Sequence, residues 1–212
     1  EPSISLETML LLNLNAMEYD LRARYDSTEL GIVVAASIAN WVVSRQQSVG
    51  LGTNGVDPLG AEADQAPGQA PLPQVKPVAA RPVGIGKGQQ HLMRLLEILA
   101  RVEAATEENQ AQPFLALVRR QRALLPWGAT LVLITGAVED DLFSEIFQAR
   151  RAGLIPVIIM LGKAPRVQQA REKAEFFNIP FHHILNELDL DQWRTAAASP
   201  RQIYLQAGNT VP

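Results

Sequence analysis

Three runs in this chain, Met9-Leu10-Leu11-Leu12, Ala129 to Thr135 (ATLVLIT) and Ile155 to Leu161, are almost wholly apolar, with no alternation. A strand reads this way when both of its faces are covered, the condition of a parallel sheet with helices above and below. The intervening segments supply those helices. Leu92, Leu95, Leu96 and Leu99 fall at helical spacing in a helix opened by Gly88 and running to about Ala105. A second begins at Pro113, a residue suited to a first helical turn, and runs to Leu125. Glu139 to Ala152 and Pro165 to Phe177 follow the second and third apolar runs. A further helix, from about Glu29 to Gln46 with Ser27 and Thr28 as candidate N-caps, is apolar around most of its circumference and is expected to be deeply packed. Shorter strands are expected at Gln47 to Thr53, closed by an Asn54-Gly55 turn, and near Pro180 to Ile184. An edge strand within Gln74 to Ile85 would tolerate Pro77 and Pro82. The fold class that follows is α/β: a doubly wound, mostly parallel sheet with helices on both faces. Ligands of such folds meet the loops at the C-terminal strand ends.

The stretch from Val56 to Pro82 breaks this pattern, holding six of the chain's fourteen prolines and no aromatic residue. It cannot bury enough apolar surface to offset its ordering entropy. Either it is a long flexible Pro/Gly/Ala-rich loop within one domain spanning residues 1–212, or it links two smaller domains; strand ends at Asn15 and Thr135 on either side of it favour the loop. At 212 residues with 47% hydrophobic residues and a net charge of −3, one full core is available and no overall basic field invites nucleic acid. The absence of cysteine excludes disulfides, Cys-ligated zinc and thiol nucleophiles. The longest apolar stretch, Leu30 to Val43, is interrupted by Ser37 and Asn40 and falls short of the roughly 20 residues that span a bilayer. The chain opens Glu1-Pro2-Ser3 with no initiator Met and no signal-like region, so it is expected to be a soluble piece of a longer protein.

The order of elements, the run from Thr8 to Met17, the tetrapeptide Leu133-Ile134-Thr135-Gly136 and the Gly86-Lys87-Gly88 turn leading into His91-Leu92 together resemble a bacterial family. It is the family catalogued as domain of unknown function 58, whose core is a von Willebrand factor A-like, Rossmann-like domain. The resemblance implies a metal-ion-dependent adhesion site, in which the first strand ends Asp-x-Ser-x-Ser and the fourth Thr-Asp-Gly. Mg²⁺ is a hard ion that seeks oxygen ligands in octahedral array, and that pattern supplies them. The matching positions here are Asn13, Asn15 and Met17, then Gly136. Both carboxylates are gone and a thioether is too soft for Mg²⁺, so the site is expected to be degenerate and to hold no metal. Glu139, Asp140 and Asp141 stand near enough in sequence to offer replacement carboxylates; their plainer role is negative charge at a helix N-terminus.

By the same resemblance, the chain is expected to be a protein-interaction or scaffold domain, not an enzyme, with no cofactor. It would be the soluble part of a membrane-anchored protein at the cytoplasmic face of the membrane, working with a MoxR-type AAA+ ATPase in protein assembly or maturation. The partner would meet the rim formed by Asn13, Asn15, Met17, Gly136, Glu139, Asp140 and Asp141. The alternative is a small enzyme or a nucleotide- or anion-binding domain using the Gly84 to His91 turn, with Lys87, His91 and Arg94 around the anion. That turn matches neither a P-loop, since Gly88 stands where Ser or Thr is needed, nor the dinucleotide fingerprint. His182 and His183 are adjacent in a strand and point to opposite faces. The arginines at 119, 120, 122, 150 and 151 read as solvated helix faces or as a docking stripe, and Trp127 is expected to cover the end of the sheet.

Overall fold

The structure is a computed structural model that describes residues 7–59, 78–106, 112–163 and 166–190. Its central feature is a six-stranded sheet. The strands and helices run, in chain order, β1 (Glu7–Leu12), α1 (Arg24–Ser44), β2 (Ser48–Thr53), β3 (Val56–Asp57), β4 (Val78–Ala79), β5 (Val83–Gly86), α2 (Gln89–Arg101), α3 (Phe114–Arg122), β6 (Thr130–Thr135), α4 (Asp140–Arg151), β7 (Ile155–Leu161), α5 (Val167–Phe176) and β8 (Phe181–Ile184). The sheet order is β5-β2-β1-β6-β7-β8. All neighbours are parallel except β5, which runs antiparallel to β2 at the edge. Counting only these six strands, the order is the 3-2-1-4-5-6 of doubly wound dinucleotide-binding folds. The chain therefore winds one way from β1 to β2 and the other way from β6 to β8.

The apolar runs behave as their composition requires. Along β1, Leu10 and Leu12 point into one layer with Val34, Val42 and Leu95 of α1 and α2, while Met9 and Leu11 point into the other with Leu117, Val118 and Ile146 of α3 and α4. Gly50 and Gly52 of β2 make room in the second layer, because a Cβ at Gly50 would lie 2.8 Å from the Met9 sulfur. A buried carboxylate joins two helices of that layer: Glu145 of α4 accepts from Arg119 Nε at 3.1 Å and stands 2.6 Å from Arg122 Nε, both on α3.

Two boundaries and one side-chain placement depart from the sequence reading. Helix α1 starts at Arg24, so Ser27 and Thr28 are buried in its first turns and cap nothing; the Thr28 hydroxyl is satisfied by the Tyr25 carbonyl at 2.9 Å. By length and composition α1 could cross a membrane, but half of its most apolar window is buried here, packed on the sheet. Helix α2 ends at Arg101 and not near Ala105, because Glu103 and Ala105 turn outward to make bridges with Val56 and Asn15. Trp127 does not cover the sheet end; it is 85% exposed and lies against the backbone of Gly153, where a Cβ would come within 2.0 Å of the indole. The Pro-rich segment begins and ends in order, with Val56–Asp57 pairing antiparallel to Val78–Ala79. Residues 60–77, which hold most of the expected loop, lie outside the described residues, as does Trp193.

Because Leu133 is fully buried in the strand shared by both layers, Leu133→Ala is expected to lower the free energy of unfolding by about 2–5 kcal/mol in denaturant melts. Leu124→Ala, at a side chain that is 73% exposed, is expected to change it by less than about 0.5 kcal/mol.

Candidate functional site

The reversal of winding lies between β1 and β6, and the residues that leave the C-terminal ends of those two strands meet there. Asn13 follows β1 and is fully buried; Thr135 closes β6 and is equally buried. The Asn13 amide nitrogen donates to the Thr135 hydroxyl at 3.0 Å and to the Glu18 carboxylate at 2.8 Å. Asn15 turns its own amide nitrogen to the other Glu18 oxygen at 3.0 Å. The first backbone N–H of α3, that of Phe114, reaches the same oxygen at 3.1 Å. Glu18 thus ties two asparagines to the positive end of a helix, where a carboxylate is favoured.

The orientation of each amide is fixed by backbone groups that can only donate. Asn13 Oδ1 accepts from the Asn15 N–H at 3.0 Å, and Asn15 Oδ1 from the Met17 N–H at 3.1 Å, two successive Asx turns that fold the loop back on itself. Asn54, at the turn after β2, accepts from the Leu14 N–H at 2.7 Å and gives its nitrogen to Asn13 Oδ1 at 3.0 Å and to the Gln112 carbonyl at 2.9 Å. A flip of any of these amides would set nitrogen against N–H.

Tyr19 seals this cluster from above. Its hydroxyl donates to the Asn13 carbonyl at 2.6 Å, and its ring lies on Gly136, where a Cβ would come 2.1 Å from Cδ1. Burial, with the neighbouring Glu18 charge, pushes the Tyr19 phenol far above the ordinary tyrosine range against an opposing backbone hydrogen bond from Gly136. It stays protonated and remains a donor. Gly136 is required by this contact.

Over the cluster opens a cleft of about 550 Å³. Met17, Leu115, Val138 and Met160 give it an apolar lining, and Glu18, Asp20, Glu139 and Asp141 give it carboxylates, with Arg166 as the cation among them. Of the seven rim positions anticipated from sequence, Met17, Glu139 and Asp141 line the cleft and are exposed. Gly136 is buried in its wall, and Asn13 and Asn15 lie beneath it. Asp140 faces the other way, paired with Lys173 of α5; that ammonium holds its carboxyl below the usual range. Of the residues of the alternative anion site, His91 is engaged by the neighbouring strands. The His91 ring lies on Gly86 of β5, and its Nε2 is 2.7 Å from the Val49 carbonyl of β2; Lys87 and Arg94 are exposed. His183 likewise contacts the Gly162 carbonyl at 2.8 Å. Glu18, Asn54 and Tyr19 were not singled out as members by sequence. Their signal was weak: the two Asx turns and the place of Glu18 three residues after Asn15 are local, and the contacts of Asn54 and Phe114 are not.

The donor set does not fit a hard divalent ion. Asn13 and Asn15 present nitrogen toward Glu18, their oxygens accept N–H groups, and the Glu18 carboxylate, the one carboxylate within the buried cluster, is already held by three donors.

No protein-family model matches the chain, and no curated protein matches its sequence. Solved structures share its fold. A conserved hypothetical protein, BatB, from Bacteroides thetaiotaomicron superposes with a TM-score of 0.50 at 8% identity, over 92% of this chain and 97% of that one. A von Willebrand factor type A protein from Catenulispora acidiphila gives a TM-score of 0.49 at 13% identity, over 89% of this chain and 40% of that one. The fold is the doubly wound, mostly parallel α/β class expected from the strand pattern, and it is shared with BatB.

Replacing the amide donor by a second carboxylate, Asn13→Asp, puts like charges where a 2.8 Å hydrogen bond now stands. The variant is expected to lose about 3–5 kcal/mol of stability at pH 7. Repulsion raises the folded-state pKa of the pair above its unfolded value, so the deficit shrinks as pH falls through that raised value and the pair takes up one proton. Denaturant melts from pH 7 to pH 4 check both the loss and its recovery.

Proposed function

We propose that this domain is a protein-interaction module and not a catalyst, and that it meets its partner at the cleft over β1 and β6. The observation that carries this reading is the satisfied state of the cleft floor. Asn13, Asn15, Asn54, Thr135 and Glu18 spend their polar atoms on one another and on the backbone, and Tyr19 is held as a donor. General acid–base or nucleophilic catalysis needs a group poised beside an activating partner and open to substrate, and no such pair emerges from this arrangement. What faces outward is an apolar lining with carboxylates, the composition of a docking surface.

On this reading the seven rim positions divide their work. Met17, Glu139 and Asp141 touch the partner, Asn13, Asn15 and Gly136 hold the loops that carry them, and Asp140 braces α4 against α5 through Lys173. The site is a degenerate form of the metal-ion-dependent adhesion site, with the Glu18 carboxylate and amide donors filling the place where relatives hold an ion. The resemblance of the sequence to the domain-of-unknown-function-58 family supports the finer reading. The parent protein is anchored by membrane helices outside this sequence, the domain faces the cytoplasm, and its partner is a MoxR-type AAA+ ATPase acting in protein assembly or maturation.

Biolayer interferometry with a purified MoxR-type ATPase from the same organism tests this. The domain is expected to bind, and Met17→Asp combined with Asp141→Arg is expected to weaken binding roughly tenfold or more, as for central interface residues. Absence of binding by the unaltered domain removes the ATPase as partner. Binding unaffected by the double change removes the cleft as the docking surface.

A further inference from the structure

We propose that the end of the sheet opposite the cleft docks on an anionic lipid surface. In a parallel fold the strand starts and helix C-termini share one end, and in this molecule that end carries exposed aromatic and apolar side chains on both sides of the sheet. On the α1 side, Trp41 is partly exposed and the Arg45 guanidinium stacks 4.2 Å from its ring centroid. On the other side, Leu124 and Trp127 project from the loop between α3 and β6, and Phe176 projects from the end of α5 at 83% exposure.

On the second side, Trp127 and Phe176 are linked through backbone and ring contacts. Trp127 rests on Gly153, and the Gly128 N–H bonds the Gly153 carbonyl at 2.8 Å. Two and three residues before Gly153 stand Arg151 and Arg150, and the Arg150 guanidinium donates to the Phe177 carbonyl. Phe177 in turn meets Phe176 edge-on with centroids 5.1 Å apart.

Charge names the occupant. Arg119, Arg120, Arg122, Arg150 and Arg151 gather on the last turns of α3 and α4, against the buried Glu145 and, on α5, Glu175. Arg119 and Arg122 are taken up by Glu145, while Arg120 and Arg151 are exposed and form no ion pair among the described residues. This is a basic face on a chain whose net charge is −3. Indole rings favour the boundary between hydrocarbon and water, and arginines favour anionic headgroups. The apolar groups project from separate elements, Trp41 and Phe176 from the last turns of α1 and α5 and Leu124 and Trp127 from the loop before β6, and the cleft lies at the other end, so the geometry suits a plane and not a groove for a peptide. Docked this way, the molecule turns its cleft away from the lipid.

Co-sedimentation of the full chain with vesicles tests this, using phosphatidylcholine alone or phosphatidylcholine with phosphatidylserine, at low and high salt. Binding is expected on the anionic vesicles only, falling with salt. Leu124→Ser with Trp127→Ser, and separately Arg120→Glu with Arg151→Glu, are each expected to weaken it roughly tenfold or more while leaving the thermal melt in place. No binding to anionic vesicles, or binding that neither pair of changes weakens, overturns the proposal. So does concentration-dependent self-association in sedimentation equilibrium that the same changes abolish in the absence of vesicle binding, which would make this face a contact between copies of the chain.

Discussion

The carboxylate of Glu18 is the anchor on which the cleft end of this molecule depends. It accepts from the side chains of Asn13 and Asn15 and from the first N–H of α3, so a single charge joins the end of β1, the loop that follows it and a helix distant in sequence. Hydrogen bonds to a charged acceptor are each worth about 1.5–3 kcal/mol, roughly twice a neutral one. Asn54 and Thr135 extend the network to the strands on either side of β1. Four separate segments are thereby held at the point where the winding of the sheet reverses.

That arrangement decides what chemistry the site can offer. A cluster built on acceptors draws in a cation; this one is built on donors that converge on an anion the protein itself supplies. Backbone N–H groups on the asparagine oxygens turn the amide nitrogens of Asn13 and Asn15 toward Glu18, so the side-chain groups facing that carboxylate are donors and not metal ligands. Tyr19 and Gly136 then close the top of the cluster by direct contact, leaving the outer walls of the cleft as the surface at which recognition can occur.

Much of the fold was legible because its signals are local. Runs such as Ile155 to Leu161 announce a strand covered on both faces, and the β7 strand has those limits. The caps misled: Ser27 and Thr28 have the chemistry of an N-terminus, yet the Thr28 hydroxyl finds a carbonyl within the helix and α1 starts earlier. Trp127 misled in a different way, since the glycine that receives its ring lies 26 positions away, counting from 127 to 153 in the sequence. The site was half legible. Asn13, Asn15 and Gly136 were marked by their place at strand ends, whereas the partnership of Glu18 with Phe114 spans 96 positions and that of Asn13 with Thr135 spans 122. No local pattern encodes such contacts; the sheet topology creates them.

The molecule is polar in the literal sense: carboxylates surround the cleft at one end of the sheet, and arginines with exposed aromatic rings occupy the other. Both ends take their meaning from the claim that the cleft floor is locked by its own hydrogen bonds and needs no ion. Thermal melts of the unaltered chain and of Glu18→Gln, each in a chelator and in millimolar Mn²⁺, test it most directly. The account predicts that Glu18→Gln melts well below the unaltered chain and that Mn²⁺ shifts neither. A rise in the melting temperature of the unaltered chain in Mn²⁺ would contradict it.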